Sequence, residues 1–197
     1  MVEVRIHGRG GQGNVLAAYL LATAAFHGGQ WSQAFPSFGA ERRGAPIAAF
    51  VRIDDHPILR RSQVTTPRFL ILQDDGLLHI PATLSGISPD GAILVNSPAS
   101  AAALRSRMAK EGTPVADALR LVSIPAGQLA TAILGRPIPN TALLAAFLAL
   151  TGILPLETLD QALSERFSGE LLTKNLHMAE AGSTTVEAGQ WKETAHA

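Results

Sequence analysis

Cysteine is absent from all 197 residues. That excludes disulfides, thiolate nucleophiles and any iron–sulfur cluster held by this chain alone. Charge is scarce too: charged residues make up 16% of the chain, where about a quarter is usual for soluble domains. The charges that occur cancel, with 16 Lys+Arg against 16 Asp+Glu, so no basic footprint for DNA or RNA exists. Long apolar runs are missing as well. The longest, Thr141 to Leu154, falls short of a bilayer span and is broken by Thr151 and Gly152. The first ten residues carry Glu3, Arg5, His7 and Arg9, which a signal peptide would not. A soluble, cytoplasmic chain with no nucleic-acid or membrane partner is expected.

Apolar residues are plentiful, at 47%. A chain of this length buries about 70% of its unfolded surface and needs no staples. Disorder is excluded for most of it. Little charge on a largely apolar chain is also the composition of a subunit that hides surface in a permanent complex.

Val2-Glu3-Val4-Arg5-Ile6-His7 alternates with the period of a strand. Four glycines then interrupt it between Gly8 and Gly13, and Asn14 to His27 reads as an apolar helix closed by Gly28-Gly29. Phe35 to Pro46 reads as a long irregular segment, followed by a strand through Ile47, Ala49, Val51 and Ile53. Phe69–Leu72, Ala92–Val95 and Leu121–Ile124 have the short apolar form of buried parallel strands, with a helix over Pro98–Lys110 between the last two. From Gly127 the chain is helical: Ala142–Leu150 is apolar on every side, and Leu156, Leu159, Leu163 and Phe167 share one face. The fold expected is α/β, a mostly parallel Rossmann-like sheet with flanking helices and a helical C-terminal part. Residues 1–182 form one domain. The tail 183–197 lacks apolar periodicity and is expected to be mobile or to lie on a partner.

Gly8-Arg9-Gly10-Gly11-Gln12-Gly13 fits G-x-G-x-x-G between a strand and a helix. Backbone N–H groups and the positive end of a helix converge at such a turn, and glycine lets an anion approach the main chain. A dinucleotide site needs in addition an acid about 20 residues on; here none occurs between Glu3 and Glu41. Asn14-Val15 stands where a P-loop needs Lys and Ser or Thr. A ligand-free packing turn stays open. The second candidate segment, Ser37 to Pro46, sets Arg42 and Arg43 beside Glu41. Adjacent guanidiniums suit bidentate contacts to phosphate or carboxylate, and an interface role fits equally.

Other chemistry is sparse. The six histidines show no metal-ligand spacing and read as surface or capping residues. Asp54-Asp55 and Asp74-Asp75 follow strands, where turns explain them, and Asn140 reads as the N-cap of the apolar helix. No catalytic constellation and no metal site can be assembled from one chain, as expected for a subunit.

Ile6 to Gly13, followed by Gln33-Ala34-Phe35-Pro36-Ser37-Phe38-Gly39-Ala40-Glu41-Arg42-Arg43-Gly44-Ala45-Pro46, closely resembles the gamma subunit of 2-oxoacid:ferredoxin oxidoreductases, the pyruvate type in particular. Arg52-Ile53-Asp54, Asn96-Ser97, Asn140-Thr141, Leu156–Phe167 and Asn175 extend the likeness over nearly the whole chain. The indolepyruvate-type subunit shares the glycine loop but is not expected to share the segment from Ser37 to Pro46 in this form. The resemblance implies a complex that oxidatively decarboxylates a 2-oxo acid, such as pyruvate or an aromatic relative, to acyl-coenzyme A and CO2, passing electrons to ferredoxin or another acceptor. It implies alpha, beta and delta-type (ferredoxin-like) partners that carry thiamine diphosphate, Mg2+ and 4Fe–4S clusters, none of them bound by this chain alone. Coenzyme A is the co-substrate. The candidate ligand-contacting residues are Gly8, Arg9, Gly10, Gly11, Gln12, Gly13, Ser37, Glu41, Arg42 and Arg43, with no catalytic residue on this chain. A stand-alone nicotinamide- or flavin-binding domain and a purely structural assembly subunit are the alternatives.

Overall fold

The computed structural model describes residues 1–37 and 46–196. Six strands lie in one sheet: β1 (Val2–Arg9), β2 (Trp31–Pro36), β3 (Pro46–Asp54), β4 (Phe69–Leu72), β5 (Ala92–Asn96) and β6 (Arg120–Ile124), in the order β2-β3-β1-β4-β5-β6. From β1 through β4 and β5 to β6 every neighbour is parallel; β3 alone runs antiparallel, between β1 and β2. The expected α/β architecture is therefore present. Among the described residues eight helices complete it: α1 (Asn14–His27), α2 (Pro81–Leu84), α3 (Ala101–Lys110), α4 (Ala126–Leu134), α5 (Asn140–Thr151), α6 (Leu156–Arg166), α7 (Gly169–Ser183) and α8 (Lys192–His196), with a 3₁₀ turn over Asp75–His79.

Alternation along the strands decides what each sheet face meets. Val4 and Ile6 of β1, beside Phe69 and Ile71 of β4, join the larger core under α1, α4, α5, α6 and α7. Leu70 and Leu72, with Ile93 and Val95, face the other way, onto Leu104 and Met108 of α3. Helix α5 is buried at every position but Ala149, as its all-round apolar sequence predicts, and Gly28-Gly29 ends α1 as expected.

Four expectations need correction. Phe35 and Pro36, read as the start of an irregular segment, end a strand, Trp31–Pro36, whose Gln33, Phe35 and Pro36 pair with Arg52, Phe50 and Ala49 of β3. Helix α3 begins three residues later than read, because Ser100 caps it through a bond from the Ala103 N–H. Asn140 is the first helical residue of α5 rather than its cap; Pro139 holds the cap position. The tail does not hang free over its described part. Trp191 is 1% exposed, stacks on Phe69 and donates its backbone N–H to Leu150 O. Arg68 reaches across to Thr194 O at 2.9 Å. One large aromatic supplies the apolar anchor that periodicity could not show.

Candidate functional site

Strands β1, β4, β5 and β6 are parallel, so their carboxyl ends share one edge of the sheet, where open α/β sheets bind ligands. The glycine loop stands there. β2 ends at the same edge, since it runs antiparallel to β3 and β3 antiparallel to β1. Ser37, just past β2, therefore lies at this edge, its N–H donated to Ala48 O at 2.8 Å. The structure thus brings Ser37 to the loop's side of the sheet. Glu41, Arg42 and Arg43 lie outside the described residues.

Within the loop each position has its own reason. Gly8 is buried, and a Cβ there would meet the Asn14 Oδ1 at 2.3 Å. At Gly13 a Cβ would meet the Asn140 Nδ2 at 2.8 Å, and φ is +81°. These two glycines admit neighbouring carboxamides. Gly11 differs: φ is +96°, it is exposed, and a Cβ would meet nothing within 4 Å. Its conformation demands glycine, while the space above it is open. Gly10 is half-buried. Gln12 ties the turn, its Oε1 accepting from the Arg9 N–H at 2.6 Å and its own N–H going to Arg9 O. Arg9 donates Nε to Asp74 Oδ2 at 2.7 Å, joining the loop to the end of β4.

Helix α1 follows with Gly13 at its N-cap and no side-chain cap. Ala17 donates to Gly13 O, closing the first turn. An uncapped helix start beneath an exposed, positive-φ glycine is suited to a negatively charged group. A surface pocket of about 530 Å3 adjoins it, lined by the apolar Leu16, Ile138, Phe167 and Leu171, by Arg136, and by Lys174 paired with Glu170 at 2.7 Å.

Several residues at this edge do more than the sequence indicated. Asp74 and Asp75 are more than turn formers. Asp74 caps the 3₁₀ turn through the Gly76 N–H and pairs Arg9; Asp75 accepts from Ser97 Oγ at 2.7 Å and from Arg107 Nη2 at 3.2 Å. Gln73, at the end of β4, is 1% exposed, and both ends of its carboxamide lack a partner. The signal for it was available: a polar residue directly after an all-apolar strand, at a carboxyl end. His7 corrects the reading of the histidines as surface groups. It is 8% exposed, and burial, with a smaller contribution from the Arg5 charge, pushes its pKa down to about 3.

A dinucleotide site is disfavoured by topology as well as by composition. The ribose acid of such sites stands on the strand after the first helix, next to β1. Here β3 separates β2 from β1, which places β2 two strand spacings, roughly 10 Å, away.

Comparison with known proteins agrees with the architecture. The family described as pyruvate ferredoxin/flavodoxin oxidoreductase matches residues 3–185. The chain is 43% identical over 179 residues to the pyruvate synthase subunit PorC of Methanothermobacter marburgensis, covering 91% of this chain and 94% of that one. It is likewise 43% identical, over the same shares, to the common gamma subunit of the pyruvate/ketoisovalerate oxidoreductases of Thermococcus kodakarensis. The crystal structure of the pyruvate oxidoreductase subunit PORC of Thermotoga maritima superposes with a TM-score of 0.79 at 35% identity, over 93% of this chain and 95% of that one.

Proposed function

This chain belongs to the pyruvate ferredoxin/flavodoxin oxidoreductase family as its gamma-type subunit, and on that premise we propose that it forms the coenzyme A-receiving wall of a 2-oxoacid oxidoreductase complex. The complex decarboxylates a 2-oxo acid oxidatively to acyl-coenzyme A and CO2 and hands the electrons to ferredoxin or a related acceptor, in the cytoplasm. Alpha, beta and delta-type subunits complete it and hold thiamine diphosphate, Mg2+ and the iron–sulfur clusters. A chain without cysteine supports that division for the clusters.

The observation that carries the coenzyme A assignment is Gly11. It is the exposed, positive-φ residue of the loop, with open space above it, at the uncapped start of α1. Phosphate oxygens approaching there meet backbone N–H donors and the helix dipole. Arg42 and Arg43 add bidentate charge from the segment that follows Ser37. This chain's contribution is positioning and electrostatic stabilisation, with neither nucleophile nor proton donor of its own. Substrate choice lies on other chains. The Thermococcus relative's name supports this, since it describes one gamma subunit common to pyruvate and ketoisovalerate enzymes.

A second reading rests on Gly8 and Gly13, whose missing side chains are replaced by Asn14 and Asn140: the loop is then a packing device for assembly. Kinetics separate the two. In the assembled complex, Arg42→Ala and Arg43→Ala should each raise the KM for coenzyme A about tenfold, the scale of one charge-assisted contact, and leave the KM for the 2-oxo acid unchanged. Unchanged coenzyme A kinetics in an intact complex would leave the packing reading in possession.

A further inference from the structure

Beneath the glycine loop, four carboxamides gather at the carboxyl edge, and two of them are left open. Asn96 is fully used, donating Nδ2 to Gln73 O at 3.0 Å and accepting from the Gly127 N–H at 2.8 Å. Asn140 accepts from the Thr141 N–H. Asn14 donates to Ile47 O at 2.9 Å, yet its buried Oδ1 accepts nothing. Gln73, at 1% exposure, has neither Oε1 nor Nε2 bonded.

The two open groups share a location. The Gln73 N–H bonds to His7 O, which seats Gln73 beside Gly8 across the β1–β4 ladder. Extended one residue past β4, the alternation of Phe69 and Ile71 assigns Gln73 to the α1 face of the sheet. On that face the space of the missing Gly8 side chain is filled by the Asn14 Oδ1. Buried amides are ordinarily paired, because an unpaired one forfeits its hydration without return. Such openness at two adjoining carboxamides, beside an Asn96 with both ends bonded, is what a site leaves where another molecule supplies the partners.

We infer that Gln73 and the Asn14 Oδ1 form a recess under the glycine loop that pairs with a neutral donor–acceptor edge of the ligand, an amide or its equivalent on a purine. This rests on the reading that the loop receives coenzyme A. Gln73 and the Asn14 Oδ1 carry no charge, and the nearby Arg9 is paired with Asp74, so the recess does not suit a phosphate; anionic oxygens belong above, at the N–H groups around Gly11. A glutamine carboxamide offers one acceptor and two donors in a plane, the pattern that pairs with an amide or with the edge of adenine. Coenzyme A carries both groups, on its pantetheine arm and on its base. Access requires the loop to lift from Gln73, which means opening the Arg9–Asp74 bond that ties it to the end of β4; Gly11 itself has no packing neighbour at its Cβ position.

The test is equilibrium binding by calorimetry to the assembled complex, without 2-oxo acid, of coenzyme A, pantetheine and adenosine 3′,5′-bisphosphate. Gln73→Leu should raise the Kd for coenzyme A about tenfold, the scale of a lost buried hydrogen-bond pair. It should also weaken one fragment, pantetheine if the edge is an amide or the bisphosphate if it is adenine. The melting temperature should hold or rise, because the variant removes an unpaired polar group from the empty site. Gln73→Met, closer in shape, serves if the leucine variant fails to assemble. Unchanged Kd values for all three probes in an assembled variant overturn the recess and leave it to internal water. If Arg42→Ala and Arg43→Ala weaken coenzyme A binding while Gln73→Leu does not, the recess alone falls; if none of the three does, the coenzyme A reading falls with it.

Discussion

His7 and Gly11 stand a few residues apart, and only one of them could be read from the sequence. Glycine in a G-x-G-x-x-G turn announces its backbone. A histidine at an alternate position of β1 gives no sign of which face it occupies or how deeply. The structure buries it on the face opposite α1, near Arg5, whose guanidinium donates to Thr83 O and Ser85 O. Desolvation first, and the Arg5 charge second, lower the His7 pKa to about 3, against roughly 6.5 in an unfolded chain. Below that unfolded value the denatured state takes up a proton that the native state refuses. Stability from this group is therefore full above about pH 6.5 and falls by about 1.4 kcal/mol per pH unit as pH drops toward 3. Between pH 7 and 5 the wild type should lose roughly 2 kcal/mol more than His7→Gln in urea unfolding. Parallel losses in the two proteins would show that His7 is protonated in the folded state. The same limit hid Gln73: the sequence shows a polar residue after an apolar strand, but not that both ends of its amide are buried without a partner.

At the scale of elements, the buried parallel strands and the all-apolar helix α5 were legible because their composition admits one environment. Phe69–Leu72 is buried at every position, and so is most of α5. β2 was missed because Trp31-Ser32-Gln33-Ala34-Phe35-Pro36 is an edge strand, partly exposed along its length, and edge strands carry weak patterns. The tail was misjudged for a related reason. It has no periodicity, and its attachment depends on Trp191 against Phe69 and on backbone bonds from Gly189 and Trp191 to Ala149 and Leu150. Trp191→Ala should therefore cost about 3–5 kcal/mol in chemical denaturation, as expected when a fully buried aromatic is removed. A loss below about 1 kcal/mol would mean that the tail detaches without consequence for the sheet beneath it.

For the molecule as a whole, composition and architecture point the same way. A chain with 16% charged residues leaves Tyr19 at 50% exposure and Phe26 at 72% on the outer side of α1. The glycine loop, Ser37 and the Asp74–Asp75 cluster all stand at the carboxyl edge of the sheet. Chemistry is thus concentrated on one edge, and no redox ligand of the cysteine kind is available anywhere in the sequence. The glycine loop's place at the carboxyl edge was legible from the strand–loop–helix order; the carboxamides beneath it were not, because Asn14, Gln73, Asn96 and Asn140 meet only in the folded chain. This chain is the gamma-type subunit of a larger oxidoreductase complex, and we propose that the redox centres lie on its partners. The most direct measurement is the native mass of the tagged chain, isolated gently from its source cells, with its visible spectrum and thiamine diphosphate content. A large, brown hetero-oligomer containing thiamine diphosphate is the predicted result. A colourless particle of one or two copies, free of thiamine diphosphate, would contradict it.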